Sequence, residues 1–442
     1  MSGWTLCIDF GTAFSKAAAA PSDAWSRFDP ASVRPLMLNA GVPGANPFLL
    51  PSALFVDEER VLFGRAALSR ADETSENKRT ALRSFKTILS AGDLERALNT
   101  NAPASVDPHR VFQIRDLLVL YLAYLLAAIE RAARADSKLG QVGAMRRRFA
   151  APAWRGADPV QMHASIARLF GEAEAFRAAM GEALLDPAGV TVSQISTRLP
   201  KALSSPQHFE TGLIFEAAAA AAYTSIGLED ASTHLAVLDI GAGTTDIDAL
   251  ARDGERMIEL PDARITLKQA GDFLDRVIVN RAIDMAKVRG KDKQTEMWSA
   301  LMANIADTKE TLFAEGEVAI RHGGRAFKLT MKDIERQPDF KVFAKALEKS
   351  YARAVNVVCA DAKARKQKLV HAVAVGGGAG APFVQALIQA KRGGRPKVAG
   401  RPATPDWAHA AEFQGNLAPV FPQLAIAIGG ALAPDSMLAA RG

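Results

Sequence analysis

Cysteine is nearly missing from this chain: Cys7 and Cys359 are the two in 442 residues. Two cannot build a disulfide framework, neither sits at a metal-ligand spacing, and a reducing cytoplasm is the natural compartment. Histidine is sparse as well, and His163, His208 and His371 stand isolated, so a histidine-built metal centre is not expected. No run reaches the roughly 18 apolar residues needed to span a bilayer. The nearest, "LLVLYLAYLLAAI" from Leu117 to Ile129, is bracketed by Arg115, Asp116, Glu130 and Arg131 and reads as a buried core helix. The opening "MSGWTLCID" offers no basic region followed by an apolar core, so no signal peptide and no membrane partner are expected. Aromatic residues make up 7% and do not interleave the scattered basic ones, which argues against a nucleic-acid surface. The net charge of +6 is read as a solvated basic surface.

What is present is the composition of an ordinary globular protein, 49% hydrophobic and 23% charged, at a length that asks for two lobes or more. Apolar alternation predicts strands at 6–10, 16–20 and 53–56, followed by a charged helical stretch to Leu89. A loop is expected at 100–108, a long helix at 116–135, a short strand in "RRFAAPAW" closed by Pro152, and a helix over 157–181. Residues 186–210 read as mixed, with Pro and Ser breaking the pattern. "FEAAAAAAYTSIGL" reads as a helix opening near Glu216, because alanine is the best helix former. Residues 271–314 and 333–368 read as mostly helical, split by a hairpin around Gly323–Gly324. "LVHAVAVGGGAGAPFVQALI" reads as strand, glycine turn and helix, "KRGGRPKVAGRPATPD" as a mobile loop, and "QLAIAIGGALA" as a closing helix.

One internal echo organises the rest. "LCIDFGTAFSKAAAA" and "AVLDIGAGTTDIDAL" share a plan: apolar residues, Asp, an apolar residue, Gly, a small turn with Thr, and a second strand. A duplicated hairpin, one near the start of each half, is the economical explanation. Glycine in such a turn lets backbone N–H groups approach phosphate oxygens. No cation adjoins Asp9 or Asp239 in the sequence, and an uncompensated buried carboxylate is costly. A hydrated Mg²⁺ accompanying the phosphates, held by Asp9 and Asp239 with Asp246 as a third ligand, would balance them.

The ordered set resembles the seventy-kilodalton heat-shock (DnaK-type) chaperones, within the actin, sugar-kinase and heat-shock ATPase superfamily. "CIDFGTAFS" resembles the first phosphate motif, and "LDIGAGTTD" the second. "LPSALFVDEERVLFGRAA" with "NKRTALRSFKTILS" resembles the stretch ending in a catalytic lysine, here Lys86. "FAAPAW" is similar to the strand with the signalling proline, and "FEAAAAAAYTSIGL" to the segment carrying Glu216. "AGDFLD", "DTKETL" and "VGGGAGAP" resemble the segments near the phosphates and adenosine, and "PQLAIAIGGAL" the closing helix.

The resemblance implies an α/β, two-lobed actin-like ATPase fold of duplicated ribonuclease-H-like domains with a nucleotide cleft between them. Lobe I is expected at 1–232, with a small subdomain at about 39–112 and completion by about 411–442. Lobe II is expected at 233–410, with a helical subdomain at about 271–345. The implied cofactors are ATP/ADP and Mg²⁺. Lys86, Glu216, Thr244 and Asp239 are implied as catalytic, and Asp9, Asp239 and Asp246 as the metal shell. Gly11, Thr12, Ala13, Gly241, Ala242, Gly243, Thr244, Thr245, Gly271, Lys309, Gly376, Gly377 and Gly378 are implied as nucleotide contacts.

This chain departs from the pattern at several places. Ala13 and Ala242 replace a threonine and a glycine of the two turns, and Ala217–Ala218 stand where Pro-Thr is usual. Glu310, Phe313 and Gly380 replace base-side Arg, Ser and Arg, and the stretch from Pro152 to Glu216 is long. The chain stops at Gly442, soon after the closing helix, so an ATPase module working as a nucleotide-gated switch without the usual peptide clamp is expected. A protein partner or co-chaperone is the expected partner besides nucleotide. A filament-forming actin-like ATPase, a small-molecule kinase and a nucleotide-binding regulator without turnover are the competing readings.

Overall fold

Alternating apolar residues closed by glycine turns produce the same sheet twice in the computed structural model. The structure describes residues 3–74, 78–83, 85–89, 91–140, 142–152, 159–209, 212–226, 234–253, 256–322, 325–413 and 416–438. Two units divide the chain, Met1–Gly227 with Leu424–Gly442, and Leu228–Gln423. Both are mixed α/β, and each has a core of its own.

In the first unit the strands Trp4–Phe10 and Phe14–Pro21 form an antiparallel hairpin, with Arg34–Pro35 beyond it and Leu50–Pro51 also on Phe14–Pro21. On the other side Trp4–Phe10 runs parallel to Arg146–Ala151, which runs parallel to Gly212–Phe215. In the second unit His234–Ile240 and Thr245–Asp253 form the hairpin, flanked by Arg256–Glu259 and Ile265–Leu267. There His234–Ile240 runs parallel to Leu369–Val375, which runs parallel to Lys397–Gly400. Strand order, strand sense and the side branch on the second strand all agree between the two sheets. The echo in the sequence is therefore an echo in topology.

The long apolar run forms part of the helix Ile114–Ala135, opened by a capping box between Gln113 and Asp116. Residues Leu117 to Ala123 are buried without a break, which is why the run carries no polar face. The neighbouring helix Pro159–Met180 sends in Glu172, fully buried and bonded by Arg115 and Arg168. Two opposed guanidinium groups compensate that buried charge. No helix among the described residues is long and apolar enough to cross a membrane.

The alanines after Glu216 have a second role besides helix propensity. Ala218 to Ala222 are all buried on the helix Glu216–Ser225. The closing helix Leu417–Leu432 approaches it so closely that a Cβ on Gly429 would overlap the backbone carbonyl of Ala219. A Cβ on the next residue, Gly430, would overlap the Cys7 thiol of the first strand. Burial pushes that thiol's pKa far up, which leaves it protonated. Buried Arg148 grips the end of the closing helix, donating to the carbonyls of Gly430 (2.8 Å) and Ala433 (2.5 Å) and pairing with Asp435 (2.7 Å).

Two expectations need correcting. Residues 186–210 contain the helix Val192–Ser204, opened by a Thr191–Gln194 capping box and anchored by Ile195, Leu199 and Ala202. Its interior Pro200 costs one backbone bond but does not end it, because the apolar face holds the helix down. The basic loop expected after residue 391 includes an edge strand, Lys397–Gly400. Among the described residues the charged helical stretch to Leu89 contains the helices Gly64–Glu73 and Phe85–Leu89, as expected. The turn at Gly323–Gly324 lies outside the described residues, while the strands on either side, Glu317–His322 and Arg325–Thr330, pair as expected.

Candidate functional site

Both hairpin turns close with the same hydrogen bond. Gly11 N–H donates to the Phe14 carbonyl at 3.1 Å, and Gly241 N–H donates to the Thr244 carbonyl at 3.0 Å. A Cβ on Gly11 would stand 2.6 Å from that carbonyl oxygen, so the tightness of the turn requires glycine there. Each turn sits at the carboxyl end of a strand with a parallel neighbour, where open α/β sheets place their ligands.

In the first unit Asp9, 2% exposed, faces Lys16 across the hairpin, and the Lys16 ammonium lies 2.7 Å from Asp9 Oδ2. The contact is an ion pair without directed hydrogen-bond geometry at that oxygen. The expectation that Asp9 lacks a neighbouring cation is thereby corrected. The partner is seven positions away in sequence and directly opposite in register. Gly11, Thr12 and Ala13 are half-buried at the turn, and the Ala13 carbonyl is tied to Ser52 N–H at 2.9 Å.

Lys86 and Glu216 meet in the same unit, Nζ to Oε2 at 2.7 Å, with side chains 16% and 11% exposed. The local sequence explains how. Phe85, fully buried, stacks on Phe10 and Tyr121, whose ring centroids lie 5.5 and 4.7 Å away, and so carries Lys86 to the end of the first strand. Glu216 opens its helix directly after the strand Gly212–Phe215, whose Phe215 pairs with Ala151. Asp9, Pro152 and Glu216 thus stand at the carboxyl ends of three adjacent parallel strands.

In the second unit three glycine segments converge on the strand end Asp239–Ile240. The helix Gly271–Ala286 docks its first turn on the hairpin, Gly271 N–H to the Gly241 carbonyl (3.0 Å) and Asp272 N–H to the Ala242 carbonyl (2.8 Å). Gly378 N–H donates to the Ile240 carbonyl at 3.0 Å. Gly376 adopts φ +85°, and a Cβ there would stand 2.5 Å from both Asp239 Oδ1 and the Ile240 carbonyl oxygen. Gly377, by contrast, has its nearest neighbour 3.7 Å away on the Gln423 side chain. Gly376→Ala is therefore expected to lower the melting temperature and disturb Asp239, whereas Gly377→Ala is nearly neutral. Thermal melts of the two variants side by side check this; equal melting temperatures would refute it.

Across the second hairpin Asp239 pairs in register with Asp246, a carboxylate where the first hairpin has Lys16. Asp246 accepts from Thr244 Oγ1 (3.0 Å) and Thr266 Oγ1 (2.7 Å). Thr245 points the other way: buried, its hydroxyl donates to the Gln269 carbonyl at 2.8 Å and fastens the segment leading to Gly271. Lys309, on the helix Ile305–Glu315, donates to Asp275 of the helix Gly271–Ala286 at 2.7 Å. Its neighbour Glu310 has its carboxyl pushed up by burial and by Asp307.

Two residues past Asp246, Asp248 was not singled out from the sequence. Burial, and then the adjacent Glu259 carboxylate, push its carboxyl up to about 8, against the pull of Arg264. The folded protein therefore holds this proton more tightly than the unfolded chain, whose aspartates titrate near about 4. This group's contribution is present at low pH and is lost as pH rises through that interval. Asp248→Asn is expected to flatten the fall in stability between about pH 4 and pH 8, read from melting temperatures across that range.

Among the described residues no three His, Cys, Asp or Glu stand close enough together to hold a metal ion by themselves. Mg²⁺ takes one or two carboxylates and completes its shell with water and phosphate, so the second hairpin's Asp239 and Asp246 fit it as such a pair.

Residues 212–410 match the family model described as Hsp70 protein. Over 180 residues the chain is 29% identical to a Chaperone protein HscA homolog of Paracidovorax citrulli (strain AAC00-1), covering 40% of this chain and 28% of that relative. The match thus spans less than a third of the relative's own length. Glu216, the second hairpin, Gly271, Lys309 and Gly376 fall within the family match, while the first hairpin and Lys86 precede it. These two matches support an Hsp70-type family for the chain.

Proposed function

We propose that the protein is a Mg·ATP-binding ATPase module of the heat-shock type that works as a nucleotide-dependent switch in the cytoplasm, with a protein partner or co-chaperone reading its state. The observation that carries this reading is the duplicated hairpin turn, closed by the same glycine hydrogen bond at equivalent strand ends of two equivalent sheets. The actin-like arrangement that the family implies, with the two turns facing a shared cleft, belongs to the proposal.

In it, backbone N–H groups of 12–13 and 242–243 bind phosphate oxygens, and the Thr12 and Thr244 hydroxyls donate to the β and γ groups. Asp239 and Asp246 hold the metal, which when bound neutralises charge on the transferring phosphoryl group. Glu216 accepts a hydrogen bond from the attacking water, and Lys86 fixes the Glu216 carboxylate and the direction of that water. Gly271, Gly376, Gly377 and Gly378 let backbone approach the nucleotide, and Lys309 stands on the base side.

Titration calorimetry with ATP, ADP and GTP, each with and without Mg²⁺, tests the binding half. Phosphate release in the absence of any acceptor tests turnover; its absence, with binding intact, would leave the regulator without turnover as the reading. A large reversible rise in light scattering on adding Mg·ATP would instead favour the filament-forming ATPase.

A further inference from the structure

We propose that Lys16 is a phosphate-binding residue of the first hairpin, a second cation besides Lys86, and that Asp9 serves as the counter-ion that positions it rather than as a metal ligand. This deepens the reading of the hairpins as a nucleotide site and rests on it.

The argument begins from the charge difference between two otherwise equivalent hairpins. The register pairs Asp9 with Lys16 in the first and Asp239 with Asp246 in the second. The first pair sums to zero and the second to two negative charges. Like charges directly opposite one another across strands repel, so the second pair gains most from a divalent cation, while the first is already compensated. A metal ion at Asp9 would have to displace an ammonium 2.7 Å away, from a carboxylate only 2% exposed. The cost of separating a buried pair falls on both partners.

The position of the ammonium gives the other half. Lys16 Nζ would lie 2.9 Å from a Cβ built on Gly11, so the amine folds over the turn itself. With its side chain 11% exposed it is neither a solvated surface lysine nor sealed away. An ammonium carries three donors, and Asp9 is the charged group that meets it among the described residues. A phosphoryl oxygen arriving at the turn N–H groups comes within reach of the remaining donors without breaking the pair. The glycine at position 11 thus does two things: it tightens the turn and leaves room for the lysine head.

The test is equilibrium binding by calorimetry, metal-free and with Mg²⁺, using ATP, ADP and adenosine. Because Lys16→Met alone strands a buried carboxylate, the main variant is Asp9→Asn/Lys16→Met, which keeps size and removes both charges; circular dichroism verifies its fold. The expected result is metal-free ATP affinity lower by about 10- to 100-fold, with adenosine binding unchanged. Asp9→Asn alone, which loosens Lys16 but keeps its charge, is expected to lower the metal-free ATP affinity by less than the double variant does and to keep the gain in affinity on adding Mg²⁺. Wild-type ATP affinity in the folded double variant would overturn the proposal, as would loss of the Mg²⁺ gain in Asp9→Asn. If the unaltered protein binds none of the three ligands, the nucleotide reading itself falls, which is a different outcome from either.

Discussion

Phosphate release by Lys86→Ala is expected to fall by about 10²- to 10⁴-fold, the range for loss of a positioned proton-handling group. Its affinity for ATP is expected to stay within a few-fold of the parent. In the proposed mechanism the lysine is held from two sides: Phe85 is locked in a stack with Phe10 and Tyr121, and the ammonium reaches Glu216 at 2.7 Å. A surface lysine on a five-residue helix would need neither anchor. Glu216→Gln, which preserves shape and loses charge, should show the same loss of turnover, and the double variant little more than either single one, because the two act as a unit. Single-turnover phosphate release with a parallel binding titration separates chemistry from affinity. Wild-type turnover in both single variants would falsify the assignment.

Gly429→Val should be strongly disruptive. Its Cβ would overlap backbone atoms of Ala219, and backbone, unlike a side-chain tip, cannot swing aside. Overpacking a side chain costs about 1–3 kcal/mol, and a helix-on-helix overlap lies at or above the top of that range. For a unit of this size each kcal/mol lowers the melting temperature by about 2–4 °C, so a drop of roughly 10 °C is expected. The displaced helix is the one that opens with Glu216, so activity should fall with stability. Gly380→Ala is the control: a Cβ there meets nothing within 4 Å. A melting temperature for Gly429→Val matching that of the control would show that the two helices can separate at little cost.

Much of the architecture was readable from the residues. The hairpins announced themselves because period-two alternation and a glycine turn coincide, and the helix from Ile114 because its apolar run is too long for a strand. Glu216 was placed at a helix start by the alanines that follow it. What escaped depends on register or on distant partners. Lys16 reads as one polar residue in a small-residue strand until the pairing sets it opposite Asp9. The alanine run reads as propensity until Gly429 is brought against it. The helix after Thr191 was hidden by its own Pro200, although the Thr-x-x-Gln cap was a usable signal. Lys397–Gly400 is a four-residue edge strand with prolines on either side, too short for alternation to register.

The two thiols turn the molecule into its own gauge of opening. Cys7 lies fully buried beneath Gly430 in one unit, and Cys359 is half-buried in the other. Alkylation of Cys7 requires the closing helix to lift, whereas Cys359 needs a smaller excursion. Timed labelling followed by mass spectrometry would then count, peptide by peptide, how often each unit breathes, with no foreign probe attached.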